Sequence, residues 1–270
     1  METRMESGCV LLQVDAFTRE PFRGNPAAVC FLEGERSDAW MLGVAAEMNL
    51  AETAFLIASG EGFGLRWFTP TVEVPLCGHA TLASAHALWE EGWTGERISF
   101  ETRSGRLDAQ REGEWIRLDF PVKSPVEGPL PHGLASALGA APLLYARGEG
   151  FHLVEFESAD AVRRVEPDLR ALAALGEIGV IVTSRGEGEF DFVSRMFAPG
   201  LGIDEDPVTG SSHCMLAPFW SQRLGRGELT GWQASQRGGA VRVRIGGGVP
   251  AGRVHLLGQA VTTLRGRLVV

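Results

Sequence analysis

Positive charge is scarce in this chain and lysine is nearly missing: 25 basic residues face 34 acidic ones, and Lys123 is the only lysine. A net charge of −9 argues against nucleic acid as the main partner, because phosphate backbones demand clustered Lys and Arg. Long apolar runs are absent as well. Nothing approaches the roughly 18 residues of a membrane span, and residues 1–7 lack the apolar core of a signal peptide, so a cytoplasmic protein with no membrane partner is expected. Cysteine is sparse and unpatterned. Cys9, Cys30, Cys77 and Cys214 show neither CxxC nor Cys/His zinc spacing, so neither a disulfide framework nor a zinc site is expected. Cys77 alone sits in a turn, and its role stays open at this stage. A nucleotide loop is missing too: Gly246-Gly247-Gly248 follows a strand pattern, but no helix pattern comes after it.

What the chain does contain is a stretch that occurs twice. Asp204-Glu-Asp-Pro-Val-Thr-Gly-Ser-Ser-His213 runs from three acids through a proline and a Gly-Ser turn into an apolar helix pattern. Unpaired backbone N–H groups in a helix's first turn make such a start a candidate anion site, here presented by Gly210 and Ser211. About half the chain earlier stands Arg66-Trp-Phe-Thr-Pro-Thr-Val-Glu-Val-Pro-Leu-Cys-Gly-His-Ala80, and Arg195-Met-Phe-Ala-Pro199 precedes the later copy. Both read Arg-X-Phe-X-Pro, an acid-bearing loop, Pro-X-(Cys or Thr)-Gly-(His or Ser), then a helix. Upstream, residues 50–59 lie over residues 175–184, which sets Glu177 opposite Glu52. A repeat of this length predicts two similar half-molecules, and the place where such halves meet is a natural ligand site.

The element pattern follows the same plan. Alternation predicts strands over 9–15, 27–32, 53–58, 64–69, 98–100, 105–111 and 115–120, with helices over 37–47 and 78–92. The Pro/Gly cluster at 121–133 marks the expected boundary between half-domains 1–122 and 123–270, with the final strand free to pack back on the first. The second half repeats the order and closes its own central helix, over 211–224, at Gly225. The fold class that follows is α+β: two half-domains, each a curved, mostly antiparallel sheet around one central helix. Glu52 falls between an apolar helix and an apolar strand, where burial without a cation raises a carboxylate's pKa toward values useful for proton transfer. His79 opens the first central helix, whose dipole should lower the imidazole pKa and leave a neutral donor or proton shuttle. Asn25, in a turn-rich stretch before a strand, reads as a turn residue or a ligand contact, and His86 reads as a packed histidine.

Five motifs in order give a resemblance. Val14-Asp-Ala-Phe-Thr18 with Gly24-Asn-Pro26, Asn49-Leu-Ala-Glu-Thr-Ala-Phe55, Leu76-Cys-Gly-His-Ala-Thr81, Leu118-Asp-Phe-Pro121 and Glu205-Asp-Pro-Val-Thr-Gly-Ser211 together resemble the PhzF family. These are the phenazine biosynthesis-like isomerases of the diaminopimelate epimerase-like fold. The resemblance implies a homodimeric enzyme that uses no cofactor or metal, with two pseudo-symmetric domains and an active site between them. It makes Glu52 the acid/base carboxylate and lines the site with Gly78, His79, Asp206 and Ser211. In the namesake reaction that carboxylate moves a proton along a dihydro-hydroxyanthranilate ring, yet many relatives share the motifs without making phenazines, so no substrate follows. Related epimerases use one cysteine on each side of the reacting carbon. Here Cys77 stands at the first position and Thr209 at the second, and a hydroxyl is far too weak an acid to replace a thiolate unaided.

The expected function is therefore proton-transfer isomerisation of a small, anionic, carboxylate-bearing substrate. Glu52 removes and returns the proton, while the helix starts at Gly78 and at Gly210 and Ser211 hold anionic charge. Asp206 is expected close to Glu52, where like charge would keep one of the two protonated. Two alternatives stay open: a racemase, epimerase or dehydratase using Cys77, and a non-catalytic binding protein on the same scaffold.

Overall fold

The structure, a computed structural model, describes residues 8–176 and 178–269; Glu177 lies outside the described residues. By its contacts the chain divides into two compact units, Met1–Leu118 with Gly258–Val270, and Asp119–Leu257. In chain order the elements are β1 (Cys9–Ala16), β2 (Asn25–Leu32), α1 (Asp38–Met48), β3 (Glu52–Ser59), β4 (Gly62–Phe68), β5 (Glu73–Val74), α2 (Gly78–Glu90), β6 (Arg97–Thr102), β7 (Gly105–Glu112) and β8 (Trp115–Pro121). They continue with β9 (Val126–Glu127), α3 (Leu134–Leu138), β10 (Leu144–Gly148), β11 (Phe151–Glu155), α4 (Ala159–Arg163), α5 (Leu169–Ala173), β12 (Gly179–Arg185) and β13 (Phe192–Phe197). After a 3-10 turn come α6 (Gly210–Leu224), β14 (Glu228–Gln233), β15 (Gly239–Arg244), β16 (Arg253–Gly258) and β17 (Ala260–Leu268).

The two units share a strand plan. In the first the ladder runs β17-β1-β2-β3-β4-β6-β7-β8, and in the second β9-β10-β11-β12-β13-β14-β15-β16. Neighbours pair antiparallel except at two matching places in each: β2 with β3 and β4 with β6, then β11 with β12 and β13 with β14. Parallel neighbours cannot be joined by a tight hairpin and need a crossover. Helices supply it. In the first unit α1 links β2 to β3 and α2 links β4 to β6; in the second α4 and α5 link β11 to β12 and α6 links β13 to β14. The doubled sequence motif is thus one half of a doubled topology, in a sheet-dominated α+β fold.

Local chemistry explains why these helices start and stop where they do. Ser37 caps α1 by accepting from the Trp40 N–H at 3.2 Å, and Asn49 ends it in the left-handed conformation that its short polar side chain tolerates. The inner face of α1, with Met41, Val44 and Ala45, packs against Phe55, Phe68, Cys30 and Leu11. An ordinary amphipathic helix would have a wet face, but α2 is buried nearly all round from His79 to Leu88. Its Ala, Ser and Thr side chains make that possible. They take little room, and Thr81 and Ser84 donate back to the carbonyls of Cys77 and Ala80 at 2.6 and 2.7 Å, so no hydroxyl is left unsatisfied. α2 packs on β1, β2, β3, β7 and β17. Gly258 serves that packing, because a Cβ there would lie 2.4 Å from the Phe17 ring and 2.7 Å from Leu82. In the second unit α6 packs on β14 and β15 and ends at Gly225 with φ +66°.

Candidate active site

The long helix that crosses over in each unit, α2 or α6, starts without a side-chain cap. In the first, Cys77 is the residue before α2 and makes no side-chain cap bond, so the opening turn is left to other partners. Glu52 begins β3 and Asn25 begins β2, and the parallel pairing of those strands sets Glu52 beside Ala27. These three strand and helix ends converge on His79. Its Nε2 lies 3.1 Å from the Glu52 carboxylate, its Nδ1 lies 3.5 Å from Cys77 Sγ, and the Asn25 amide lies 3.2 Å from Nδ1. Gly78 is the first residue of the helix, half-buried next to them. His86 lies further along α2, its Nε2 3.3 Å from Glu90.

The protonation states follow from this contact, and they reverse two expectations. Burial works against the Glu52 charge, but the His79 ring, by its charge and its hydrogen bond, and then Cys77 hold the carboxyl below its ordinary value. Burial likewise opposes a charged His79, yet Cys77 and Glu52 outweigh it and hold the ring well above the ordinary imidazole value. Cys77 itself is pushed up by burial and by Glu52, so it rests as a neutral thiol, and Glu52 is the partner that carries the negative charge. Sequence reasoning places Glu52 in a site without a cation and His79 under the helix dipole alone. The dipole amounts to about half a charge at the helix end, whereas Glu52 brings a full carboxylate to 3.1 Å. Proximity wins. Asn25 faces Nδ1 with its amide Nδ2 at 3.2 Å; a doubly protonated ring requires that amide turned over, so that its oxygen accepts from Nδ1–H.

Glu52, Cys77 and His79 also present one oxygen, one sulfur and one nitrogen within 4.8 Å of one another, a donor set of zinc type. A metal there would need the thiolate and a free ring lone pair. An ion there would have to displace the thiol and ring protons that the contacts hold.

The second unit repeats the helix start with different chemistry. Thr209 precedes α6 in the same extended backbone conformation as Cys77, again without a side-chain cap bond, and Gly210 and Ser211 form the first turn. Gly210 is buried and Ser211 half-buried. Thr209 Oγ1 donates to Asp206 Oδ2 at 2.5 Å, and the Asp206 N–H donates to the Met196 carbonyl at 3.0 Å. His213 takes the part played by Thr81 in α2: its Nδ1 donates to the carbonyl of Thr209 at 2.7 Å, and burial pushes its pKa down to about 4. Gln233, the last residue of β14, grips the same turn and escaped sequence reasoning. Its only signal is a polar side chain at an inward place in a strand whose burial alternates.

Matching arginines brace the two approaches. Arg66 on β4 holds Glu73 through two bonds of 2.8 and 2.7 Å, and Arg195 on β13 holds Glu205 through two of 2.7 and 3.0 Å. Each guanidinium also lies over the phenylalanine two residues on, Phe68 or Phe197. This is the physical content of the repeated Arg-X-Phe-X-Pro. The arginines also fix the true correspondence between strands. Arg66 pairs with Phe55 and Arg195 with Val182, so stepping three residues back reaches Glu52 in β3 and Gly179 in β12. Gly179 occupies the rung of Glu52. A Cβ at Gly179 would lie 2.9 Å from both Met196 Cε and the Phe197 carbonyl, so that rung has no room for any side chain.

Comparison with known proteins agrees with this architecture. The family model described as phenazine biosynthesis-like protein, PhzC-PhzF, matches residues 14–266. A relative from Halalkalibacterium halodurans, named an uncharacterized isomerase, is 49% identical over 261 residues, covering 95% of this chain and 97% of its own. The crystal structure of a PhzF family protein from Enterococcus faecalis superposes with a TM-score of 0.93 at 39% identity, over 97% of this chain and 100% of that one. A hydroxyproline epimerase from Agrobacterium vitis shares the fold, with a TM-score of 0.65 at 12% identity over 98% of this chain and 94% of that one.

Proposed function

Because this chain belongs to the phenazine biosynthesis-like, PhzC-PhzF family, we propose that it is a cofactor-independent isomerase that moves a proton on a small carboxylate-bearing substrate, with Glu52 as its single acid/base group. The observation that carries the reading is the Glu52–His79 pair at 3.1 Å, set at the start of a buried helix. A carboxylate held below its ordinary pKa is ionised and can accept a proton, and an imidazolium held above its own stays protonated and can donate a hydrogen bond to developing charge. Glu52 takes a proton from a carbon next to a carbonyl or conjugated system, and the electron pair moves into that system. Glu52 is then neutral, so His79 loses its counter-charge at the moment negative charge grows on the substrate, and its N–H stabilises that charge. The proton returns from Glu52 to a second carbon on the same face. The net change is a shifted double bond. The first-turn N–H groups at Gly78 favour the substrate's carboxylate.

A racemase needs an acid and a base on opposite faces of one carbon. Two features of this chain count against it: the helix start matching Cys77 carries Thr209, and the rung matching Glu52 carries Gly179. The test is solvent exchange. In D₂O the parent incorporates deuterium into a turned-over substrate without inverting a stereocentre, Glu52→Gln slows this about 10²–10⁴-fold, and Cys77→Ser keeps most of it. Inversion at an α-carbon that is lost in Cys77→Ser and kept in Glu52→Gln overturns the reading in favour of a thiol racemase.

A further inference from the structure

The hydrogen bonds around Gln233 have only one possible direction. Gln233 is fully buried, and its Oε1 lies 2.9 Å from the backbone N–H of Thr209, a group that can only donate. Its Nε2 lies 2.7 Å from the carbonyl of Asp206, a group that can only accept. The two backbone groups therefore fix which end of the amide is which. The second N–H of Nε2 points at Thr209 Oγ1, 3.2 Å away, and fills an acceptor position on that hydroxyl. The hydroxyl has one proton of its own, and Asp206 Oδ2, at 2.5 Å, is where it goes. A separation that short belongs to a hydroxyl donating to an ionised carboxylate.

We propose that Gln233 and Thr209 form a one-way hydrogen-bond relay whose output is an ionised Asp206. Thr209 thus has a positive role where its sequence position suggests a missing cysteine. It is a donor that keeps the neighbouring carboxylate charged, and Gln233 is a positioning residue that acts through it. Asp206 enters the reaction as an acceptor and never as an acid. Any ligand group it meets is a hydrogen-bond donor, an ammonium or a hydroxyl. This assignment of the ligand group rests on the isomerase reading; the relay itself does not.

Two measurements separate them. The proton of a hydroxyl in so short a bond gives a downfield, slowly exchanging resonance in the ¹H NMR spectrum of the parent, expected to vanish in Thr209→Val and to persist in Thr209→Ser and in Glu52→Gln. Kinetically, Thr209→Val and Gln233→Leu each raise KM about tenfold or more with a smaller change in kcat, as loss of a hydrogen bond to a charged group implies. Thr209→Ser restores the parent KM. Because the two residues act in series, the double variant is no worse than the worse single one, whereas independent packing losses would add. The relay is overturned if the resonance is absent in the parent or survives in Thr209→Val, or if the two single effects are additive. Should Gln233→Leu fail to fold, the Val and Ser variants of Thr209 still decide it. A retained resonance in a protein showing no solvent exchange on any substrate would overturn the isomerase reading and leave the relay standing.

Discussion

The two helix starts, at Cys77-Gly78-His79 and at Thr209-Gly210-Ser211, have nearly the same backbone and opposite chemistry. At α2 the neighbours are titratable on every side: a carboxylate, an imidazole and a thiol within hydrogen-bonding reach of one another. At α6 the corresponding contacts are a hydroxyl, an amide and the Asp206 carboxylate, and the nearby imidazole of His213 is turned back into its own helix and held neutral by burial. A duplicated scaffold has kept its geometry twice and its mobile proton once. In the proposed mechanism the first start moves charge and the second fixes it.

The largest expected difference between the units is in how their struts bear load. Arg195 donates not only to Glu205 but also to the carbonyls of Val162, Arg163 and Val165, at 3.3, 3.2 and 2.6 Å, so it closes the end of α4 as well. The hydrogen-bond partners of the Arg66 guanidinium among the described residues are Glu73 and the exposed Asp38. Arg195→Met should therefore cost about 2–4 kcal/mol of stability, because it strands a half-buried carboxylate and removes a donor from the carbonyls of Arg163 and Val165. Arg66→Met should cost less than half of that. Urea unfolding of both variants checks the order, and equal losses would break the comparison.

A smaller effect is expected at the paired rung. Gly179→Ala should destabilise by about 1–3 kcal/mol, since the Met196 tip can swing away but the Phe197 carbonyl in the ladder cannot. A neutral or stabilising result would mean that the second unit could have housed a side chain opposite Glu52, and the single-base account would lose that support.

Much of this was legible in the sequence, and the illegible part has definite causes. The strand and helix order could be read because alternation and small-residue periodicity survive in both halves. The doubled Arg-X-Phe-X-Pro announced the repeat, and Glu52, His79 and Asp206 stood out as polar residues at the ends of apolar elements. The repeat alignment nevertheless put Glu177 against Glu52, because a slip of two residues keeps every side chain on its own face and leaves no trace in a hydrophobic pattern. The pKa directions were missed for a different reason. They depend on a 3.1 Å contact between residues far apart in sequence, and no local rule, whether helix dipole or burial, reports the partner that outweighs it. Gln233 was invisible as anything but an oddly polar strand end.

The central claim, that the α2 start holds an ion pair of Glu52 and His79, is tested most directly by titrating the His79 ring by NMR in the parent and in Glu52→Gln. A His held up by a carboxylate keeps its proton until the pH passes its raised pKa, and a Glu held down keeps its charge until the pH falls below its lowered one. Activity should accordingly show a plateau across neutral pH. Its acid limb lies below the ordinary glutamate value of 4.5 and its alkaline limb above the ordinary histidine value of 6.5. In the parent His79 should titrate above 6.5. In Glu52→Gln, where burial is no longer opposed by the carboxylate, the midpoint should drop. A parent ring that titrates below 6.5, or a midpoint unmoved by Glu52→Gln, would contradict the account.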